Sequence, residues 1–230
     1  MHLKITAFRA VNQPQICARF IEQHRNVLRD YGITNITTNN EDWVNNPDVY
    51  CIVAVQENDN AIVGGVRVQI ATQHSRLPVE LAIGQMDAGI FELVKGLREK
   101  GGVAEICALW NAKTIAGMGI SIVLVRAAIA ITPQLKINSL LTICADYTLK
   151  TFQKVGFSIY DTLGSSGEFP YPNASYTARV LRMSDPGELA GAEMDDRERI
   201  FSLRREPHRR TAEQGAAGQI IIDYNLVIPK

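Results

Sequence analysis

A turn with two glycines, placed between an apolar strand and an apolar helix, constrains the fold of this chain more than any other segment. Apolar runs predict the strand over Val103–Trp110 and the helix over Ile120–Ile131. At such a joint the first N–H groups of the helix lack internal partners, and the helix dipole favours an anion. Gly117 and Gly119 would let a phosphate group approach the backbone, although they also suit a tight turn that binds nothing. The turn is neither a Walker A loop nor a G-x-G-x-x-G fingerprint.

Strands and helices alternate over residues 3–183, which predicts an α/β (α+β) chain with a mixed sheet flanked by helices. The other predicted strands are Leu3–Phe8, Val49–Val55, Ala61–Ile70, Ser139–Ala145, Ser158–Thr162 and Ser175–Met183. The other predicted helices are Pro14–Tyr31, Ala88–Lys100 and Leu149–Val155, with a short one over Glu41–Asn46. The helix over 88–100 is amphipathic, so two roles stay open for it: covering a substrate cleft or forming a homodimer interface.

The character of the sequence changes after Asp185. Residues 188–214 are rich in charge, and residues 219–228 are apolar again. We therefore divide the chain into a domain of residues 1–185 and a C-terminal extension of residues 186–230, made of a charged helix plus one strand. A basic cluster in the extension is expected on a solvated helix face; the alternatives are a phosphate-contacting patch and a docking site for an acidic carrier protein. The cluster consists of Arg204, Arg205, Arg209 and Arg210.

Charge and hydropathy exclude several classes of partner. Lys plus Arg and Asp plus Glu both number 24, so the chain is not the basic protein that phosphate neutralisation on nucleic acid requires. The most apolar stretch, residues 120–131, is too short to span a bilayer. No basic segment followed by an apolar block opens the sequence. We expect a cytoplasmic protein with neither a nucleic-acid nor a membrane partner.

The cysteines and histidines predict no metal site. The four histidines share no ligand spacing, and the four cysteines form no C-x-x-C pair. Three cysteines lie in apolar strand-like runs and are expected to be buried free thiols: Cys51, Cys107 and Cys144.

Two segments resemble motifs of the GNAT superfamily of acyl-CoA N-acyltransferases. Residues 114–119, TIAGMG, resemble the family's R/Q-x-x-G-x-G/A, with Thr114 where Arg or Gln is usual. Residues 148–157, TLKTFQKVGF, resemble the segment that ends in Y-x-K-x-G-F, with Phe152 where Tyr is usual. The order of elements from Leu3 to Met183 also fits the family.

This resemblance implies a mixed, mostly antiparallel sheet of about seven strands flanked by helices. It also implies acetyl-CoA, or another acyl-CoA, as co-substrate between the fourth and fifth strands. Backbone groups of Leu109 and Asn111 would pair with the pantetheine arm, and the following turn would bind the pyrophosphate. The implied CoA-binding residues are Leu109, Asn111, Thr114, Ile115, Ala116, Gly117, Met118, Gly119 and Ile120.

Two residues are candidates for the chemistry. Glu105 is an ionisable group in an apolar strand, at a place where many GNAT members carry Glu, and burial would raise its pKa toward that of a general base. Its structural alternatives are a solvent-facing side chain and a pair with an arginine. Tyr147 is the candidate acid for the leaving thiolate in place of Phe152, and its alternative is packing.

The function expected from the resemblance is acetyl transfer from acetyl-CoA to an amine, by direct attack in a ternary complex. The amine would belong to a small metabolite or to a protein. One alternative is a long-chain acyl transferase that uses acyl carrier protein, similar to the acyl-homoserine-lactone synthases. Another is a non-catalytic acyl-CoA-binding or interaction protein, which Thr114 and Phe152 favour.

Overall fold

One mixed sheet of ten strands organises the described residues, which are 1–30, 32 and 41–229 of a computed structural model. The strands are β1 (His2–Arg9), β2 (Val49–Gln56), β3 (Ile62–Ile70), β4 (Val103–Asn111), β5 (Ser139–Ala145), β6 (Ser158–Ile159), β7 (Glu168–Pro170), β8 (Thr177–Met183), β9 (His208–Gly215) and β10 (Gly218–Asn225). Their order is β6-β8-β5-β4-β3-β2-β1-β10-β9, and β7 pairs with β8 beside this path. Among these strands only β1–β10 and β4–β5 are parallel pairs. The mostly antiparallel sheet is confirmed, with ten strands in place of about seven.

The helices cover both faces of the sheet. They are α1 (Pro14–Asp30), α2 (Pro78–Ile83), α3 (Gly89–Glu99), α4 (Ile120–Ala130), α5 (Thr132–Leu135), α6 (Asp146–Lys154) and α7 (Met194–Arg205). The predicted helices are present with small shifts of their ends; Tyr31, the predicted last residue of the first one, lies outside the described residues. The predicted short helix at 41–46 is a 3-10 helix over Asp42–Asn45. None of the described helices has the length and apolar character needed to cross a membrane.

Two cores lie on the two faces of the sheet. On one face the apolar helix α4 packs against β3 and β4, with α7 on its other side. On the opposite face α1 packs against β3 and β4, and its Phe20 makes edge-to-face contacts with Trp43 and Trp110 at centroid distances of 5.8 and 5.6 Å. The helices α2 and α3 cover the neighbouring part of that face. The centre of the sheet is therefore enclosed on both faces.

The C-terminal extension adds two strands, where the sequence analysis expects one. Strand β10 pairs parallel with β1, and β9 pairs with β10 along its whole length. Strand β9 lies at the end of the sheet with most of its side chains exposed or half-buried. An edge strand of this kind needs no apolar alternation, so hydropathy does not reveal it.

The basic cluster of the extension is not one solvated helix face, so that expectation is wrong. Arg204 donates hydrogen bonds to the carbonyl groups of Gly187 (2.9 Å) and Ile129 (3.3 Å), which lie outside its own helix. Arg210 lies on β9 and forms a two-pronged pair with Asp223 at 2.6 and 2.7 Å. Arginines from two different elements thus hold the extension together.

A buried ion-pair network attaches the extension to α4. Arg126 of α4 contacts Asp196 of α7 at 2.5 Å and Glu213 of β9 at 3.1 Å. Glu213 also pairs with Arg199 at 2.8 Å. The side chains of Arg126, Asp196 and Glu213 are nearly inaccessible to solvent, so each depends on its partners for hydrogen bonds.

We expect Arg126→Met to destabilise the protein by about 3 to 5 kcal/mol, because it leaves a buried carboxylate without its cation. Arg205→Met, at an exposed position of α7, is the matched control and should change the free energy of unfolding by less than about 0.5 kcal/mol. Urea unfolding measures both values. Equal stabilities of the two variants would contradict this role of Arg126.

Candidate active site

A cleft opens where β4 and β5 separate. The two strands pair only from Val103 to Glu105 on β4, while β4 continues to Asn111 and β5 to Ala145. Two adjoining cavities of about 160 and 570 Å³ follow the separated ends of the strands. Both are lined by Leu109 of β4 and Tyr147 of α6. The structure therefore contains a gap between the fourth and fifth strands, as the sequence analysis expects.

A β-bulge distorts β4 at this point. Cys107 pairs with Arg67 of β3 and Trp110 pairs with Gly65, so β4 has one residue more than β3 between these two pairs. Ala108 adopts a left-handed conformation, with φ of 50°. A bulge bends its strand and leaves backbone groups outside the ladder. Ala108 and Leu109 have no Cα partner in the β3 register, so the ladder is interrupted in the part of β4 that lines the cleft.

Glu105 lies at the inner end of the smaller cavity. Its side chain is fully buried, so the solvent-facing alternative is wrong; it forms no salt bridge with any described arginine, although the buried Arg67 charge acts on it through space. The Oε2 atom accepts a hydrogen bond from the Val79 N–H of α2 at 2.7 Å, whereas Oε1 has no partner. Burial raises the pKa of this carboxyl to about 8. Glu105 is thus an oriented carboxyl group with one free oxygen and a pKa suited to proton transfer near neutral pH.

Tyr147 and Phe152 have different environments on α6. Tyr147 is 76% exposed and lines both cavities. Phe152 is buried and packs edge to face on Phe157 with 5.4 Å between the ring centroids. Phe152 is therefore a core residue without a proton to donate, and the assignment of Tyr147 as the acid stays a prediction.

The glycine turn adopts the backbone that its sequence favours. Gly117 and Gly119 have φ values of 78° and 79°, which disfavour any side chain. Three N–H groups of the turn are already used inside it: those of Ile115, Ala116 and Met118 donate to the carbonyl groups of residues 112, 113 and 115. An anion at this turn would therefore meet the N–H groups of the two glycines and of the first turn of α4.

The flanks of the turn are partly engaged with neighbouring elements. The Asn111 Oδ1 atom accepts a hydrogen bond from the Ser121 hydroxyl at 2.8 Å, which ties the end of β4 to the start of α4. Thr114 and Ala116 are exposed. The roles of Thr114 and of the other predicted CoA contacts stay predictions.

The tip of the β9–β10 hairpin rests on the glycine turn, a contact that the sequence does not reveal. The Ala217 N–H donates to the Gly117 carbonyl at 3.0 Å. A Cβ atom on Gly215 would lie 2.4 Å from the Met118 carbonyl carbon, so only glycine fits there. The C-terminal extension therefore supports the wall of the candidate anion site.

One further charged residue beside Glu105 was not singled out from the sequence. Arg67 on β3 is 1% exposed, and Gln69, two residues later on the same face, lies directly opposite Glu105 in the β3–β4 register. Two polar residues with this spacing in the apolar strand IVGGVRVQI are the signal by which a site could be recognised.

Among the described residues one trio of potential metal ligands comes together, away from the cleft, on β1, directly after β2 and on β10. It comprises His2, Glu57 and Asp223. Asp223 is already paired with Arg210 and His2, so these contacts account for the cluster without an ion.

Comparison with protein-family models and with curated protein sequences gives no match. Among solved structures, FeeM, an N-acyl amino acid synthase from uncultured soil microbes, matches with a TM-score of 0.60 at 13% identity, over 84% of this chain and 97% of that chain. BjaI, a CoA-dependent acyl-homoserine lactone synthase solved with SAM and isopentyl-CoA, matches with a TM-score of 0.56 at 13% identity, over 99% and 95%. An acyl-CoA N-acyltransferase from Pseudomonas aeruginosa matches with a TM-score of 0.55 at 10% identity, over 78% and 98%. The chain has the GNAT fold. At these identities the likeness concerns the fold, and at that level the resemblance seen in the sequence is confirmed.

Within this GNAT fold, burial of Glu105 should make stability depend on pH. The folded protein holds the Glu105 proton up to a pKa of about 8, whereas the unfolded chain releases it near the ordinary glutamate pKa of 4.5. The contribution of Glu105 to the free energy of unfolding therefore falls as the pH rises between these two values. We expect the stability of the wild type relative to Glu105→Gln to fall by a few kcal/mol over this range, and its stability relative to Glu92→Gln, at an exposed position of α3, to stay nearly constant. Urea unfolding between about pH 5 and pH 8 measures the difference; parallel pH profiles for all three proteins would contradict the buried carboxyl.

Proposed function

We propose that this protein is an acyl-CoA-dependent N-acyltransferase that transfers its acyl group directly to an amine. The main support is the position of Glu105, an oriented buried carboxyl group at the inner end of the cleft between β4 and β5. The glycine turn lies at the end of β4, the strand that carries Glu105. One strand therefore connects a candidate base with a candidate anion site.

The acyl-CoA is proposed to bind along the end of β4. The pantetheine arm would lie between the separated strands and pair with backbone groups of Leu109 and Asn111. The bulge supports this arrangement, because it leaves Leu109 outside the β3–β4 ladder. The pyrophosphate would bind the free N–H groups of Gly117, Gly119 and the first turn of α4, where the helix dipole adds positive potential.

The proposed reaction has one base and one proton donor. The amine nitrogen attacks the thioester carbonyl carbon, and the amine proton passes to Glu105. The carbon–sulfur bond then breaks to give an amide and the CoA thiolate, which takes a proton from Tyr147 or from water. The hydrogen bond from Val79 to Oε2 fixes the carboxyl group and leaves Oε1 to accept the proton.

The length of the acyl group has two candidates. Acetyl is the group expected from the sequence resemblance. A chain of several carbons is favoured by the cavity of about 160 Å³ beside Glu105, whose walls include Ile106, Ile143 and Phe152. An apolar cavity of about 150 Å³ in another protein holds benzene, so a space of this size accepts more than a two-carbon group.

Binding of CoA is the first test of the proposal. CoA at about a hundred times its dissociation constant should stabilise the protein by about 2.7 kcal/mol. Ala116→Asp places a negative charge on the glycine turn and should raise the Kd for CoA about tenfold or more, since it repels the pyrophosphate. Ala190→Asp, at an exposed position outside the turn, is the control. Thermal unfolding with CoA, acetyl-CoA and a hexanoyl thioester reports binding and acyl preference. No stabilisation of the wild-type protein by any of them would refute the proposed donor.

The base is tested by the rate of thiol release from the preferred acyl-CoA. We expect Glu105→Gln to lower kcat/KM by about 10² or more, and the wild-type kcat/KM to rise with pH up to about 8, as the carboxyl group becomes ionised. Tyr147→Phe should lower kcat if Tyr147 protonates the thiolate, and an unchanged kcat would assign that proton to water. Full activity of Glu105→Gln with an unaltered pH profile would remove the base from the proposal.

A further inference from the structure

The guanidinium of Arg67 is a buried charge that forms no salt bridge among the described residues and has two nitrogens without an acceptor. Its side chain is 1% exposed, and both Nε and Nη1 are buried without a hydrogen-bond acceptor. One face of the group stacks on Trp43 at 4.4 Å from the ring centroid. Its neighbours across the ladders are the thiols Cys51 of β2 and Cys107 of β4; the Cys107 sulfur accepts a side-chain hydrogen bond from Arg67, but neither neighbour is a carboxylate. Two of the three nitrogens of this guanidinium are therefore left without an acceptor among the described residues.

Such an arrangement is costly in a folded protein. Buried charges are ordinarily paired, because loss of hydration is not recovered from apolar or weakly polar neighbours. Arginine cannot relieve the cost by releasing its proton. An anion that enters the site would supply the missing acceptor, and the planar guanidinium is suited to a carboxylate.

Arg67 lines a pocket of about 330 Å³ that is open to solvent. Gln69 lies in its wall and is held in place by hydrogen bonds to the Arg76 carbonyl (2.9 Å) and the Ser75 hydroxyl (3.3 Å). Asp42 and the side chain of Arg76, both exposed at the rim, carry opposite charges. Arg67 therefore leaves the pocket with one net positive charge, which matches a single carboxylate.

The pocket and the candidate base lie on the same face of the sheet, although Glu105 lines the smaller cleft cavity and not this pocket. Gln69 pairs directly with Glu105 across the ladder, and Arg67 pairs with Cys107, so Arg67 and Glu105 are diagonal neighbours on one face of the sheet. Diagonal neighbours in an antiparallel pair are roughly 7 to 8 Å apart. An acceptor that reaches from one side chain to the other needs a carboxylate and an amine separated by only a few bonds.

We propose that Arg67 binds the carboxylate of the amine acceptor, and that the acceptor class is the free amino acids. This inference rests on the proposed acyl transfer, since it places the amino group of the same molecule at Glu105. A monoanionic phosphate is the competing ligand, and the test separates the two.

The test is thermal unfolding in the presence of CoA, with each of the common amino acids, the corresponding amines that lack the carboxylate, and inorganic phosphate as probes. We expect at least one amino acid to raise the Tm by several degrees and its matching amine to have no effect. Thiol release with the preferred acyl-CoA should show the same preference, with kcat/KM for the amino acid at least about 30-fold above that for the amine, since loss of a buried charged partner has an effect of this size.

Arg67→Met provides the matched variant. Replacement of an unpaired buried charge by an apolar side chain of similar length is expected to leave the ligand-free protein at least as stable as the wild type. The variant should still respond to CoA but should lose the response to the amino acid, and it should acylate the amino acid no faster than the amine. Arg205→Met should behave like the wild type. Arg67→Lys keeps the charge but loses the planar guanidinium that can donate two parallel hydrogen bonds to a carboxylate. This variant should bind the amino acid more weakly than the wild type.

The outcomes distinguish this inference from the proposed function. If CoA stabilises the wild type but no amino acid does, or if carboxylate-free amines serve equally well, the role of Arg67 is refuted and the acyltransferase proposal stands. Stabilisation by phosphate in place of amino acids also refutes it. If Arg67→Met keeps the amino-acid response, the carboxylate binds elsewhere. If CoA has no effect, the proposed function fails, and the amino-acid response alone decides whether Arg67 holds a carboxylate.

Discussion

The short pairing between β4 and β5 is the constraint on which the candidate site depends. The strands are bonded from Val103 to Glu105 and then separate, so the cleft begins beside the last paired residue of β4. The bulge at Ala108 lies on the separated part of that strand and interrupts its ladder with β3 beside the opening. An open wedge inside a sheet is stable only if its two sides are held from outside. Helix α4 and the C-terminal hairpin hold one side, and α6 follows directly from the other.

The interior of the sheet carries more ionisable groups than a stable core requires. Glu105 and Arg67 lie on one face without forming a salt bridge, and Gln69 lies two residues after Arg67 on β3, directly opposite Glu105. Burial of the Arg67 charge, or of the Glu105 carboxyl group in its ionised form, lowers stability, and marginally stable proteins keep such groups only where another gain offsets the loss. By contrast, the buried network of Arg126 with Asp196 is fully paired and holds the extension on the sheet. Buried ionisable groups without a salt bridge thus lie in the part of the sheet suited to ligands, whereas the fully paired ones lie where the extension is held on the sheet.

The sequence predicts what depends on local pattern and misses what depends on distant pairing. The joint at residues 103–131 is predictable, because two apolar runs and two glycines with positive φ specify it locally. Glu105 stands out for the same reason, as a charge within an apolar strand. The hairpin tip at Gly215 is not predictable, because its contact with the glycine turn joins residues about a hundred positions apart. Helix α2 has only six residues, too few for a clear helical period, yet its Val79 N–H orients Glu105. Arg67 gives the same local signal as Glu105, but only the fold shows that two of its nitrogens have no acceptor among the described residues.

A structure of the protein with bound acyl-CoA would test the central claim most directly. The account predicts the pantetheine arm between β4 and β5, its amide groups bonded to the backbone at Leu109 and Asn111, and the thioester carbonyl next to Glu105. It also predicts the pyrophosphate on the N–H groups of Gly117, Gly119 and the first turn of α4. Density for the ligand at any other surface, with the cleft between the two strands empty, would contradict it.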